Sequence, residues 1–260
     1  MKFYKMKWPE IQKEAKKDTI VILPVGSIEQ HGYHLPVDTD TDLVNYVAER
    51  VADRTNALLL PPIYYGYVEY GLKTPGSVSV KNEHFIHYVE DIIISLNKTG
   101  FRRLVIINGH GGNTAALMIV VENIGERTNM LCSTFNWFSL IADEMAKDKD
   151  IKFREASHAG AIESSCKYFI DAGNCDPKKA VREITGLDDK YFTWDLFKPS
   201  PVFMLLDWKC YTKSGVSGDA TKGDSKKGKK CLEISIEKAV EIIEIFKKIP
   251  YPEVLLSKNL

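Results

Sequence analysis

The chain has 260 residues and carries 35 basic and 35 acidic side chains, so its formal net charge is zero. This length suits a single domain spanning residues 1–260, and such a domain can bury a large core without disulfide staples. The neutral balance argues against nucleic acid or an anionic membrane as the main partner, because both favour a basic excess. It is compatible with self-association.

The cysteines and the N-terminal segment indicate the cellular compartment of the protein. The five cysteines are odd in number, widely spaced and without a CxxC pair, which argues against a disulfide framework or a thiolate zinc site. The basic N-terminus is not followed by an apolar segment, and no apolar run approaches the ~18 residues that cross a bilayer. We therefore expect a cytoplasmic protein.

Short apolar runs at residues 20–25, 58–60 and 104–107 are continuous rather than alternating. Continuous runs are typical of strands buried on both faces of a parallel sheet. Helical spacing of apolar residues predicts helices over residues 42–55, 84–96, 114–127, 161–171 and 232–248. The alternation indicates an α/β fold, a three-layer α/β/α sandwich with a mainly parallel sheet, in preference to an α+β arrangement.

Caps and loops follow from the residues beside these helices. Thr39 and Asp40 are candidate caps of the first helix, and Gly100 and Gly173 are candidate stops of the second and fourth. Residues 212–230 are rich in Gly, Ser and Lys and are expected to form a loop, and residues 184–209 are irregular.

Polar residues cluster just after the apolar strands, where ligands bind in open α/β sheets. Glu29, His31 and Asp40 follow the first strand and His110 follows the strand at 104–107, while Glu163 lies farther along the chain. Imidazole and carboxylate suit Zn, Mn or Fe(II). Two histidines and three acids are too many for one tetrahedral zinc, and they suit two ions that share a bridging carboxylate. Singly, each residue could also be a core histidine, a helix cap or a dipole partner.

Three segments resemble the creatininase family: PVGSIEQHGYHLPVDTD at 24–40, NGHGGN at 108–113 and HAGAIESS at 158–165. Weaker similarities to the family's sequence lie at residues 74–77 and 214–219. The resemblance implies a two-metal amidohydrolase in a three-layer α/β fold, assembled as a homo-oligomer, usually a hexamer. It also implies two divalent metal ions (Zn, Mn or Fe) as cofactors and a small molecule as substrate.

The resemblance also assigns roles to individual residues. Glu29, Asp40 and His110 match the family's ligands for one ion; His31 and the bridging Asp40 match ligands for the second, and Glu163 is assigned to that second ion. His158 matches the catalytic histidine, placed to give a proton to the leaving nitrogen or to stabilise the oxyanion. His34 and Asp38 are candidates to orient a ligand.

One position departs from the creatinine-hydrolysing pattern. Those members carry a further acidic ligand two residues after the NGH histidine, where this chain has Gly112. The departure argues against creatinine itself as the substrate. The resemblance still implies cleavage of a C–N amide bond, in a cyclic amide or a formamide, by hydroxide generated at two metal ions.

Several alternatives stay open. Within the family they are deformylation of a formylaminopyrimidine nucleotide and trimming of a short peptide. Lys73, Arg154 and Lys213 are candidate partners of a phosphate group or other anion, and Trp137 is a candidate pocket wall, with core packing favoured. Outside these activities, the chain could be a non-catalytic metal-binding scaffold. A Rossmann-type nucleotide binder is disfavoured because no GxGxxG follows the first strand.

Overall fold

The structure is a computed structural model that describes residues 1–145, 147–152, 154–185, 191, 202, 204 and 208–251. The strands in these residues are β1 (Val21–Val25), β2 (Leu58–Leu59), β3 (Arg103–Asn108), β4 (Leu131–Asn136), β5 (Arg182–Glu183) and β6 (Gly218–Asp219). The α-helices are α1 (Trp8–Lys16), α2 (Thr39–Thr55), α3 (Asn82–Lys98), α4 (Thr114–Arg127), α5 (Ala142–Met145), α6 (Ala161–Ile170), α7 (Trp208–Tyr211) and α8 (Ser225–Phe246).

The main sheet is parallel, with strand order β2-β1-β3-β4. Val21 of β1 pairs with Leu58 on one side and Leu104 on the other, and Val25 pairs with Asn108 at the carboxyl end. The chain thus passes from β1 to one neighbour and later returns to the opposite side of β1. Ligands bind beyond the strand ends at such a switch point, so the segments after β1 and β3 flank a crevice.

Helices cover both faces of this sheet. Ile22 of β1 belongs to a buried cluster with residues of α2, α6 and α8, whereas Val21 and Leu23 pack into a second cluster with α3 and α4. Each fully buried aliphatic side chain contributes roughly 1.5–3 kcal/mol, which accounts for the continuous apolar runs of the strands. The predicted three-layer α/β/α sandwich with a mainly parallel sheet is confirmed.

Helix ends differ from the prediction in two places and agree with it in a third. Helix α2 begins earlier, with Asp38 as the N-cap residue, so Thr39 and Asp40 lie inside its first turn. Helix α6 ends at Ile170, before Gly173 is reached. Helix α3 ends just before Gly100, whose φ of 101° suits a glycine stop, as expected.

The predicted loop at 212–230 is wrong in part. It contains β6 and the first turns of α8, which begins at Ser225 because the Asp224 side chain caps it, accepting a bond from Lys227 N at 2.8 Å. Strand β4 and helix α1 were not predicted. Half of the residues of β4 (LCSTFN) are polar and the strand is only partly buried, so it lacks the continuous apolar run of β1 and β3.

Three further predictions concern Trp137, the irregular region and membrane-spanning helices. Trp137 is buried in the core, as favoured. The irregular region at 184–209 lies largely outside the described residues. Among the helices that are described, none combines the length and the apolar character needed to span a membrane.

Candidate metal centre

The segment after β1 folds back on itself and returns Asp40 to the end of the strand. Glu29 N donates to Val37 O at 3.0 Å, which closes the loop ahead of α2. Ser27 Oγ donates to Asp40 Oδ2 at 2.7 Å, so the carboxylate is fixed from the strand side. Glu29, His31 and Asp40 are all buried.

The segment after β3 is held by its two asparagines. Asn108 Nδ2 donates to His110 O at 2.7 Å and to Asn136 Oδ1 at 2.8 Å, which ties the turn to β4. Asn113 Nδ2 donates to Gly26 O at 2.9 Å and joins this turn to the end of β1. The NGHGGN motif therefore sets His110 beside the β1 loop.

The third segment enters at the start of α6. Ala159 N donates to Glu163 Oε2 at 2.5 Å, which fixes that carboxylate at the head of the helix. Ser217 N donates to His158 O at 2.9 Å and secures the preceding turn. Both His158 and Glu163 are buried.

These segments meet in two adjoining clusters. In the first, formed by Glu29, Asp40 and His110, one ligand atom from each residue lies within 4.8 Å of the others. His110 Nδ1 is 2.8 Å from Asp40 Oδ2 and 3.2 Å from Glu29 Oε2. This is the trio that the family resemblance implied for one ion.

The second cluster consists of His31, His158 and Glu163, again within 4.8 Å. His31 Nε2 lies 3.7 Å from Glu163 Oε2 and 3.2 Å from Asp40 Oδ1, while the other oxygen of Asp40 faces His110. Asp40 thus stands between the clusters. His158, expected to donate a proton or to stabilise the oxyanion, lies among the candidate ligands, with its ring 4.5 Å from that of His31.

Each of the three histidines has one ring nitrogen on a backbone carbonyl. His31 Nδ1 is 3.0 Å from Glu29 O, His110 Nε2 is 3.1 Å from Tyr67 O, and His158 Nε2 is 2.9 Å from Gln30 O. A carbonyl only accepts, so these nitrogens carry hydrogens, and the opposite nitrogens of His31 and His110 face carboxylates, where either a proton or a metal ion can occupy the lone pair. Metal-ligating histidines are oriented in this way.

The donor set fits divalent metal ions. His31 Nε2 is fully buried and makes no hydrogen bond among the described residues, which is costly for a polar atom unless a ligand occupies its lone pair. Imidazole and carboxylate donors suit Zn, Mn and Fe. A metal ion would complete the bonding of this nitrogen.

The electrostatics also favour a cation. Burial lowers the pKa of His31, but the carboxylates of Asp40, Glu163 and Glu29 outweigh burial and raise that pKa to about 10. Burial raises the pKa of Glu163 to about 7. Three buried carboxylates therefore attract positive charge, and a divalent cation competes with protons for the same lone pairs.

His158 differs from the other two histidines. Burial lowers its pKa to about 4, although Glu29 opposes the shift. The imidazole is therefore neutral near pH 7, with Nε2–H on Gln30 O and Nδ1 as an acceptor. The Nδ1 atom lies 3.9 Å from Glu29 Oε2, facing the first cluster.

Tyr70 was missed by the sequence analysis. Its hydroxyl lies 3.0 Å from His110 Nε2, and its ring stacks at 17° to the imidazole. A side chain at Gly112 would collide with it, because an added Cβ would lie 2.6 Å from Tyr70 Oη and 2.5 Å from His110 Nε2. Tyr70 follows no strand and belongs to no motif, so the sequence offered no signal for it.

The predicted accessory residues make other contacts. His34 Nε2 bonds to Ser164 Oγ at 2.8 Å, and Asp38 pairs with Lys167, so each contacts α6 rather than a predicted ligand. Of the candidate anion partners, Lys73 and Lys213 are exposed, whereas the guanidinium of Arg154 donates to Thr185 O.

A parallel α/β sandwich with paired histidine–carboxylate clusters at its carboxyl edge defines a metal-binding α/β protein. The family model described as creatinine amidohydrolase matches residues 4–243, and the chain belongs to the creatininase family. The name of this family is that of a hydrolase of a carbon–nitrogen bond other than a peptide bond, which is the class that the sequence predicted.

Known proteins resemble the chain in sequence and fold. The 3-dehydro-scyllo-inosose hydrolase of Thermotoga maritima is 33% identical over 63% of this chain and 54% of its own length. The creatinine amidohydrolase of Pseudomonas putida is 39% identical over 45% of this chain and 46% of its own length. A creatininase crystal structure superimposes with a TM-score of 0.77 over 96% of this chain and 98% of its own, at 23% identity, which shows the fold.

Other relatives carry different activities in their names. A mycofactocin precursor peptide peptidase of Mycolicibacterium smegmatis is 38% identical over 39% of the chain, and a formylaminopyrimidine-nucleotide deformylase of Methanococcus voltae is 35% identical over 40%. The chain spans about half the length of the curated relatives it matches, so its own reaction and substrate are matters of proposal.

Proposed function

We propose that this chain is a metal-dependent amidohydrolase that cleaves a C–N amide bond, in a cyclic amide or a formamide, of a small molecule. The observation that carries the proposal is the pair of buried clusters that adjoin at Asp40. Five candidate carboxylate and imidazole ligands from three separate segments converge there. A purely structural role for any one of these residues would not require the other four to lie beside it.

Two divalent ions are the proposed cofactors. Glu29, Asp40 and His110 would hold one, and His31, Asp40 and Glu163 the other. Creatininase structures in zinc–zinc and manganese forms support Zn or Mn. When bound, such ions lower the pKa of water and stabilise negative charge on the carbonyl oxygen of the substrate.

His158 is the proposed proton carrier. Its Nε2–H stays on Gln30 O, so Nδ1 is the atom that accepts the proton of the attacking water. The imidazolium then gives this proton to the departing nitrogen as the C–N bond breaks. Glu163, whose carboxylate accepts a bond from Ala159 N, is proposed to hold the second ion together with His31 in a fixed position relative to the substrate.

The space beside His110 bears on the substrate. Gly112 contributes no acidic ligand, and the Tyr70 hydroxyl fills the neighbouring volume. This arrangement supports a substrate other than creatinine. The deformylase relative supports a formamide, whereas the peptidase relative supports a short peptide as the second candidate within the family.

We further propose a single domain spanning residues 1–260 that functions in the cytoplasm as a homo-oligomer, a hexamer by family resemblance. The zero net charge is compatible with such assembly. Light scattering of the purified protein gives the oligomer size directly.

The test is elemental analysis of the purified chain and of His31→Ala and Glu163→Ala, with His87→Ala as the matched control because His87 is an exposed histidine on α3. We expect about two ions per chain, fewer in both site variants and no change in the control. The metal-loaded chain is then screened against cyclic amides, formamides and dipeptides for release of an amine.

The alternative of another class, a non-catalytic metal-binding scaffold, predicts a different pattern. It predicts bound metal without turnover of any of the three substrate classes. Fewer than two ions in the correctly folded native chain would overturn the two-metal proposal.

A further inference from the structure

Lys167 is a fully buried lysine one helical turn beyond Glu163 on α6. Its Nζ lies 3.2 Å from Asp38 Oδ1 and 3.1 Å from Asp171 Oδ2, and it also bonds to Asp42 Oδ2. Buried lysines are rare unless they are paired. Here three carboxylates, each partly exposed, surround one ammonium group.

The ammonium is charged in this setting. Burial lowers the pKa of Lys167, but the hydrogen bonds to Asp42 and Asp171 and the charge of Asp38 outweigh burial and raise the pKa above its usual value. Removing a single partner from a buried charge is costly, because the charge is left uncompensated. The Lys167 ammonium is therefore held in place by its three carboxylate partners.

Its partners come from two different helices. Asp171 directly follows α6, four residues after Lys167, whereas Asp38 occupies the N-cap position of α2 and Asp42 lies in the first turn of α2. Asp40, the carboxylate between the two clusters, lies between Asp38 and Asp42 in sequence. The bonds from Lys167 thus attach the turn that carries Asp40 to the helix that carries Glu163.

Other contacts of that turn come from the strand side. Asp40 accepts bonds from Ser27 and His110, and Thr41 donates to Ser27 O at 2.9 Å. These contacts set Asp40 relative to β1 and β3 but not relative to α6. Lys167 supplies a direct charged connection from the turn to α6, and Glu163 lies on the same side of α6 because residues four apart share a helix face.

We propose that Lys167 is a positioning residue of the metal centre, which fixes the separation of the Asp40 and Glu163 carboxylates by tying the first turn of α2 to α6. This inference rests on the proposed function, since it concerns the ion that both carboxylates would hold. Lys167 itself lies outside both clusters. Loss of such a supporting contact typically weakens metal binding roughly ten- to a hundredfold.

The test is calorimetric titration of metal-free protein with Mn²⁺. Lys167→Met removes the ammonium and retains an unbranched apolar chain, and Lys167→Arg is the conservative rescue. We expect the more weakly held ion to bind roughly ten- to a hundredfold more weakly to Lys167→Met, and close to native affinity for Lys167→Arg. Lys229→Met, which breaks the exposed Lys229–Glu233 pair of α8, is the matched control and should change nothing.

Two milder variants keep the test decisive if Lys167→Met fails to fold. Asp42→Asn and Asp171→Asn each remove one carboxylate from the same ammonium, but only Asp42 lies on α2. The proposal expects weaker Mn²⁺ binding for Asp42→Asn and native binding for Asp171→Asn. Equal effects of the two, or a lower unfolding temperature of the metal-free protein with unchanged affinity, would reduce Lys167 to a stabilising ion pair. No metal bound by the native chain would instead overturn the proposed function.

Discussion

At the scale of single residues, Gly112 determines what can stand beside His110. An added Cβ would lie 2.5 Å from His110 Nε2, 2.6 Å from Tyr70 Oη and 2.7 Å from Tyr67 O. We expect Gly112→Ala to lower the free energy of unfolding by about 1–3 kcal/mol, the usual cost of overpacking. Because the added methyl group would push the His110 imidazole out of place, metal affinity should fall as well. Calorimetric titration measures this affinity.

The control for this substitution is Gly173→Ala. Gly173 also lies in a short 3-10 turn, but no atom approaches an added Cβ within 4 Å. The control should leave both stability and metal affinity close to native. Native metal affinity in Gly112→Ala would show that His110 is not held by this contact.

Residue types and spacing, together with the resemblance to the creatininase motifs, predicted which side chains converge. Glu29, His31, Asp40, His110 and Glu163 are all in the two clusters. They could be predicted because each follows a strand or begins a helix within a motif. Tyr70 and Lys167 could not, because the first lies in a turn without periodicity and the second occupies an ordinary position of an amphipathic helix. Only tertiary packing brings them to the site.

At the scale of elements, the contact of α6 with α8 depends on Gly228. An added Cβ there would overlap the Ser165 carbonyl and lie 2.6 Å from Cys166 N, both backbone groups that cannot turn away. We expect Gly228→Ala to cost about 3 kcal/mol or more in urea unfolding. Since Ser165 and Cys166 follow Glu163 on α6, metal affinity should drop together with stability.

Gly125→Ala is the matched helical control. Gly125 lies in α4 with nothing within 4 Å of an added Cβ, so alanine should stabilise the chain by roughly 0.5–1 kcal/mol through its higher helix propensity. A small effect of Gly228→Ala on the unfolding free energy would mean that α6 and α8 can move apart without loss of stability. That result would contradict the proposed dependence of this helix contact on Gly228.

Strand β5 is tied to the loop before β6 by one carboxylate. Glu183 accepts bonds from Thr212 Oγ1 at 2.7 Å, Lys213 N at 2.8 Å and Ser214 N at 2.9 Å. Burial raises the pKa of Glu183, but these bonds and that of the Ser214 hydroxyl outweigh burial and lower the pKa from 4.5 to about 2. A depressed pKa stabilises the fold above pH 4.5, and this contribution is lost as pH falls toward 2.

We therefore expect acid to weaken the native chain more than Glu183→Gln. Between pH 5 and 3, the native chain should lose about 1–2 kcal/mol more unfolding free energy than the variant, allowing for solvent screening. Urea unfolding at several pH values measures the difference. Glu126→Gln, at an exposed position of α4, should retain the native pH profile. Parallel pH profiles for native and Glu183→Gln would contradict the assignment.

At the scale of the whole molecule, fold and site differ in how far sequence determines them. The strands were predictable because burial on both faces requires continuous apolar runs, as in β1 and β3. Strand β4 was not, because it lies at the sheet edge and its half-buried residues need not be apolar. The register of α6 against α2 follows from long-range contacts such as Lys167–Asp42, which no local pattern contains.

The candidate ligands come from segments far apart in sequence, so bound ions should cross-link the molecule. Glu29, Asp40 and Glu163 belong to the β1 loop, α2 and α6, respectively. An ion at about one hundred times its dissociation constant adds roughly 2.7 kcal/mol to the unfolding free energy. For a chain of this size that corresponds to a rise in Tm of roughly 5–10 °C per site.

Calorimetry with Mn²⁺ and with chelator should resolve this rise. We expect Glu29→Gln to retain part of the Mn²⁺-dependent shift, because the His31–His158–Glu163 cluster is intact, and the double variant Glu29→Gln with Glu163→Gln to lose it. His87→Ala, on the surface of α3, should keep the full shift. Because the comparison is between metal-loaded and metal-free forms of the same variant, any direct cost of a substitution cancels. A full shift in the double variant would place the stabilising ions outside these two clusters.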